Sequence, residues 1–143
     1  MIDLLERLRD PFNVNLLAQV AAVAALDDTA HVARSRQVNR EGRLFLERAL
    51  QALGLAFVRS HGNFMLVEVG DGAHAYEALL RSGVIVRPMG GYGLPRHLRV
   101  SIGLADENTR LVQALAALYG YSGTAVGTLQ QGNAGAPLPG VGR

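Results

Sequence analysis

The hydrophobic period of this chain changes near Gly54, and that change limits the folds open to it. Before it, apolar residues recur at helical spacing; after it, they recur mostly at the two-residue spacing of strands. Gly42, Leu46, Ala49, Leu50 and Leu53 form one stripe of a long helix that starts after Asp27-Asp28-Thr29, and Gly54 stands where a left-handed cap is expected. Ala56–Val58 and Asn63–Val69 then read as strands around the polar turn Ser60-His61-Gly62. Asp71-Gly72 opens a helix with Ala75, Ala78 and Leu79 inward, stopped by Gly83. Val84–Arg87 is a short strand ended by Pro88, Met89–Pro95 a loop, and Leu98–Ile102 a half-buried strand. A last helix starts at Asp106 or Glu107 and carries Leu111, Leu115 and Leu118. This succession predicts an α+β domain, a small mixed or antiparallel sheet covered by helices.

The N-terminal part is less self-contained. Asp3 and Glu6 have capping-box spacing for a short helix with Leu4, Leu5 and Leu8 on its buried side. Pro11 ends it, and Pro11–Asn15 is an extended connector. Asn15 suits the cap of a helix over Leu16–Leu26 that is apolar nearly all round. Such a helix needs cover on several sides. It is either the domain's own central helix or a helix covered by a larger body. At the other end, Gly120–Arg143 holds seven glycines, two prolines and no charge before Arg143, which predicts a flexible tail. The domain is therefore expected over 1–119 and the tail over 120–143.

Composition decides what chemistry is open. The 143 residues are 49% hydrophobic and 18% charged, as in globular chains. With no cysteine, neither disulfides nor thiolate metal sites can form. Apolar runs are too short to span a bilayer, and the N-terminus carries acids where a secretory signal carries bases. A soluble cytoplasmic protein without membrane contact is expected. All 14 basic residues are arginines. Without a lysine the chain has no side-chain amine for a Schiff base, and the always-protonated guanidinium does not replace one. Arg36, Arg40 and Arg43 share a helical face, yet no aromatic interleaving or nucleic-acid motif accompanies them, so a solvated face is expected and no nucleic-acid partner.

Arg99 is the strongest local signal. In Leu98-Arg99-Val100-Ser101-Ile102 the apolar residues point one way while Arg99 and Ser101 point the other. An arginine in such a setting needs an anion to offset its desolvation, either a guest carboxylate or phosphate or an acid of its own domain, unless this face of the sheet is simply exposed. Arg87, at a strand end before a glycine-rich loop, has either a surface role or a place beside Arg99 in a doubly cationic pocket suited to a dianion. Gly90-Gly91-Tyr92-Gly93 lacks the lysine and strand-to-helix context of a phosphate loop. Asn13 has no local job once Asn15 caps its helix. His31, His61, His74 and His97 show no ligand spacing, so no metal site is expected.

Taken together, Arg9–Asn15 followed by an alanine-rich helix, Asn39-Arg40-Glu41-Gly42, Asn63-Phe64, Gly83–Met89, Gly91-Tyr92-Gly93-Leu94-Pro95 and Leu98–Gly103 form a series of blocks running from near residue 2 to about residue 119. In that order they resemble the C-terminal portion of histidinol-phosphate aminotransferases, a branch of the class I/II pyridoxal-phosphate aminotransferases. The resemblance implies the small-domain fold of fold-type I enzymes, a homodimer, and amino transfer between histidinol phosphate and 2-oxoglutarate in histidine biosynthesis. It implies that Arg99 grips the substrate's carboxylate or phosphate, that Arg87 lies near the same pocket, and that Asn13 borders it. It also implies pyridoxal phosphate as cofactor. The cofactor lysine and the aspartate at the pyridine nitrogen lie upstream of the matching segment in that family, so a large domain or second chain is expected to supply them, and no residue here is expected to be catalytic. The alternatives are a non-catalytic binding or association module, an aromatic amino-acid aminotransferase, or a phosphate-ester decarboxylase of the same domain plan.

Overall fold

The two alternating segments around Met65 and Leu98 become the central strands of a four-stranded sheet. A computed structural model describes residues 2–8 and 12–121. Its helices are α1 (Ile2–Leu8), α2 (Leu16–Leu26), α3 (Thr29–Ala52), α4 (Gly72–Arg81) and α5 (Ala105–Leu118). Its strands are β1 (Phe57–Val58), β2 (Phe64–Glu68), β3 (Arg87–Pro88) and β4 (His97–Ser101), in the order β1-β2-β4-β3 with every pairing antiparallel. The chain forms two compact units that divide after Arg36.

In the second unit the predicted stripe of α3 turns inward as expected: Gly42, Leu46, Ala49, Leu50 and Leu53 are all buried. They meet Met65 and Val67 of β2, Leu98 and Val100 of β4, Ala75 and Leu79 of α4, and Leu111, Val112, Leu115 and Ala116 of α5. The core thus lies between one face of the sheet and three helices.

Helix ends fix how these layers join. At the end of α3 the Leu55 N–H bonds Leu50 O at 2.9 Å and the Gly54 N–H bonds Gln51 O at 3.0 Å, with Gly54 at φ +64°. That is a Schellman cap, which only glycine enters without a steric penalty. The same pattern closes α5 through Tyr121 N–H to Ala116 O and Gly120 N–H to Ala117 O. Tyr121 then donates its hydroxyl to Leu53 O at 3.1 Å, joining the ends of α3 and α5. Tyr119 donates to Val69 O at 2.8 Å, and burial raises its phenol pKa above 10.0. Gly120 and Tyr121, which composition grouped with the tail, take part in this closure; residues 122–143 lie outside the described residues.

The strand expected over Val84–Arg87 is shorter than its pattern suggests. The Val84 N–H is engaged by Leu79 O as part of the α4 cap, so the ladder starts at Arg87. It includes Pro88, which an edge strand tolerates because no inner neighbour needs its N–H. Helix α5 starts at Ala105, just before its predicted acids, because Glu107 reaches back to accept the Leu104 N–H at 2.7 Å.

In the first unit, Asn15 caps α2 by accepting the Ala18 N–H at 2.8 Å. Both ends of α2 fall where the sequence placed them. Its burial does not: no residue of α2 is buried, which overturns its reading as the domain's central helix. The apolar side predicted for α1 is also open, with Leu4 63% and Leu5 62% exposed. A 36-residue unit has too little chain to cover two apolar helices. The side chains of Asp3 and Leu8, and Pro11 altogether, lie outside the described residues.

One buried polar group pins the exit of β4. Asn108, 2% exposed, accepts the Gly103 N–H at 2.9 Å and donates to Gly103 O at 2.8 Å. A Cβ on Gly42 would lie 2.7 Å from its amide, so α3 closes over the same spot. Asn108→Ala leaves both Gly103 groups without that partner and is expected to cost about 1–3 kcal/mol, read from urea unfolding; an unchanged midpoint would show that the clamp does not hold the loop.

Candidate functional site

The sheet's second face, turned away from the core, carries the charge. Along β4 the alternation sends Leu98 and Val100 inward and leaves His97, Arg99 and Ser101 on this face. The β3–β4 register sets Arg87 directly opposite Arg99. The β2–β4 register sets Leu66 opposite Arg99 and Phe64 opposite Ser101. Directly opposed Cβ atoms lie about 4.5–5.5 Å apart, and like charges so placed destabilise a sheet. The strand pairing itself therefore sets the two arginines at directly opposed positions of the ladder.

Neither is neutralised by a carboxylate among the described residues. Glu68 is engaged by Arg96 at 2.9 Å and Glu47 by Arg43 at 2.9 Å. Arg87 is exposed, and Arg99 is half-buried. The Arg99 Nε is buried with no hydrogen-bond partner, an unusual state for a donor on a charged group. Its Cζ lies over the Phe64 ring, 5.2 Å from the centroid. Such a pair of forked donors, unopposed by acid, can accept a carboxylate or a dianionic phosphate in paired hydrogen bonds.

Of the three residues singled out in the sequence, the sheet brings Arg87 and Arg99 together. Asn13 is exposed in the connector before α2 and belongs to the first unit. The acid of the same domain that was one candidate partner for Arg99 is not found among the described residues. Sequence reasoning passed over Phe64 as part of this site. Its signal was present, since the alternation of β2 that buries Met65 and Val67 must turn Phe64 to the arginine face. Asn39 was also missed; its amide donates to Gly62 O at 3.1 Å while its Oδ1 is buried without a partner, as is Nδ1 of His97. A separate groove of about 610 Å³, lined by residues including Val38, Phe45, Leu104, Glu41 and Asp106, does not include either arginine. Among the described residues no group of three His, Asp or Glu side chains stands close enough to hold a metal, and no single helix is long and apolar enough to cross a membrane.

The family model of the class I and II aminotransferases matches residues 1–115. The chain belongs to this family. Histidinol-phosphate aminotransferase 1 of Cupriavidus pinatubonensis is 59% identical over 119 residues, which are 80% of this chain and 32% of that protein. Histidinol-phosphate aminotransferase 2 of Pseudomonas aeruginosa is 55% identical over 114 residues, 79% of this chain and 31% of that protein. The chain thus spans about a third of the length of the curated relatives it matches. Among solved structures, the histidinol-phosphate aminotransferase of Clostridium acetobutylicum superposes with a TM-score of 0.70 at 25% identity, over 78% of this chain and 35% of that one. The aspartate aminotransferase of Thermus thermophilus with maleate gives a TM-score of 0.59 at 33% identity, over 72% of this chain and 29% of that one. The α+β architecture expected of a fold-type I aminotransferase is the one this chain has.

The opposed arginines carry a measurable consequence for stability. Arg87→Gln is expected to raise stability at low ionic strength by about 0.2–1 kcal/mol. The gain should shrink as salt is added, because exposed charges are screened. Calorimetry in low and high salt checks this; a loss of stability instead would mean that Arg87 is paired.

Proposed function

We propose that this chain is the substrate-anion-binding portion of a pyridoxal-phosphate aminotransferase, most like histidinol-phosphate aminotransferases, and that it depends on further polypeptide for catalysis. The observation that carries the reading is the Arg87–Arg99 opposition without an acid partner, with a buried Arg99 Nε left unbonded. Arg99 would hold the substrate's carboxylate or phosphate by its fork, and Arg87 would add a second positive group suited to a dianion. Asn13 would border the same pocket. The relatives' names supply histidinol phosphate as the substrate to test, and a neighbouring aspartate aminotransferase solved with maleate is a precedent for an anionic ligand in this fold.

The cofactor needs a separate test against these residues. Pyridoxal phosphate is held covalently by a lysine amine, and this chain has no lysine among its 143 residues. The donor set present therefore does not fit the cofactor's covalent anchor. What the residues here do is bind and orient an anion; the amine must come from polypeptide beyond these residues, in a homo-oligomer as the family implies. The family supports an amino acid or amino phosphate ester as the proposed substrate and a soluble, biosynthetic, cytoplasmic setting for it.

A direct experiment combines the purified chain with the lysine-bearing N-terminal two thirds of a histidinol-phosphate aminotransferase. The visible absorption of bound cofactor and amino transfer from histidinol phosphate are expected with the wild-type chain. Arg99→Gln should abolish transfer, and Arg87→Ala should weaken the phosphate substrate by about 1–3 kcal/mol. If Arg87→Ala leaves it unaffected, a substrate without phosphate is favoured, as for an aromatic amino-acid enzyme. No transfer by a folded wild-type mixture would overturn the reading.

A second reading, a non-catalytic association module, draws on one observation. Helix α2 exposes Leu16, Leu17, Val20, Val23 and Leu26, a surface larger than monomers ordinarily leave open. Concentration-dependent self-association in sedimentation velocity would favour it; a sharp monomer that binds no apolar dye would remove it.

A further inference from the structure

Phe64 is 44% exposed although it belongs to β2, a strand flanked by β1 on one side and β4 on the other. Its ring adds nothing to the core, because Met65 and Val67 take the core-facing positions of the strand. What it touches is Arg99, whose guanidinium carbon stands over the ring at 5.2 Å. We propose that Phe64 is a positioning residue, its ring holding the Arg99 guanidinium ready for an incoming anion without itself touching that anion. The inference rests on the reading of Arg99 as the anion-binding group.

Three features of the site support it. First, no polar partner fixes Arg99 at its Nε, which has no hydrogen-bond partner, and no carboxylate pairs with it among the described residues. Second, the charge directly across the ladder is repulsive, because Arg87 stands opposite. An unsupported guanidinium would swing away from it and surrender that freedom only when an anion binds. A ring face attracts the cation electrostatically and lets the planar group lie against it, so part of the ordering is already done before binding. Third, the placement calls for an aromatic. The residue directly opposite Arg99 is Leu66, and Phe64 is its diagonal neighbour, a separation that large rings bridge and short aliphatic side chains do not. The competing account makes Phe64 an apolar side chain that merely packs against some further body, in which case its aromatic character is immaterial.

The two accounts separate in the full chain with inorganic phosphate as probe. Phe64→Leu keeps apolar bulk and removes the ring; Phe64→Trp keeps a ring. With nitrogen-15 labelling, the Arg99 Nε–H signal of the unsubstituted chain is expected upfield of those of exposed arginines, from the ring current, and to move downfield in Phe64→Leu. Titration of phosphate at low salt should show affinity falling by about two- to fivefold in Phe64→Leu and returning in Phe64→Trp. The melting temperature of each variant shows whether packing has changed. Equal phosphate affinity in the wild type and Phe64→Leu, with the Arg99 signal unmoved, overturns the inference alone. Absence of phosphate binding by the wild type overturns the assignment of Arg99 to anions, and this inference with it. Should Phe64→Leu fold poorly, the position of the Arg99 signal in the unsubstituted chain still decides whether the ring holds it.

Discussion

The antiparallel pairing of β2 with β4 keeps five residues of each strand in register, from Phe64 opposite Ser101 to Glu68 opposite His97. Because side chains alternate faces with a period of two, this register makes two assignments at once. It sends Met65, Val67, Leu98 and Val100 into the core, where each is nearly or fully inaccessible. It also turns Phe64 and Arg99 to the opposite face. A slip of one residue on either strand would put an arginine or a half-exposed aromatic into the core and bare the apolar set. The hydrophobic energy that locks the sheet, about 25 cal/mol for each Å² removed from water, is therefore also what aims the arginine. Substitutions far from Arg99 that loosen this pair would reach the site through register.

How much of this could be read beforehand differs by element, for physical reasons. Helix α2 was legible to both its ends because its signals are local: an asparagine cap, an apolar run broken only by Gln19 and a pair of aspartates. The stripe on α3 was legible because its apolar residues recur with the helical period over several turns. The extent of β3 was not, because whether Val84 enters a ladder depends on a cap bond to Leu79 that periodicity does not encode. The burial of Leu4 and Leu5 was misjudged for a related reason: an apolar face announces that a helix wants a partner and does not say that this chain contains one. At the site, the spacing placed the two arginines on neighbouring strands. Their direct opposition, and the ring beneath Arg99, follow from pairings between residues far apart in sequence, such as Arg87 with Arg99 and Phe64 with Ser101.

The two units have opposite relations to water. The second closes its own core, caps its helices and ties the ends of α3 and α5 through Tyr121. The first leaves α2 without a buried residue. An isolated helix of 11 residues is marginal in water even when alanine-rich, since nucleation outweighs so few hydrogen bonds. Its lasting order therefore calls for packing over its exposed leucines and valines. That need agrees with the length relation, in which the relatives of this chain are about three times longer than the stretch it shares with them. On the proposed reading the same dependence holds for the chemistry, because the chain offers guanidinium groups and no side-chain amine.

The use of arginine at both positions explains why the face can be so positive without collapsing onto itself. A lysine pair would concentrate charge on two flexible, strongly hydrated points. Guanidinium groups spread theirs, lie against a ring, and present donors in a fixed fork. Even so, the arrangement carries three unfavourable features: opposed like charges, a buried donor without an acceptor, and an aromatic ring left in water. A sheet optimised for stability alone would have none of them, since an acid at position 87 would remove the first and a shorter polar residue at position 64 the third. On the reading proposed above, an anion held by the arginines would relieve the repulsion and offer an acceptor. All three costs fall on the same few residues, which is the pattern expected of a site kept ready at the expense of the domain that carries it, as the proposed reading of Arg99 requires.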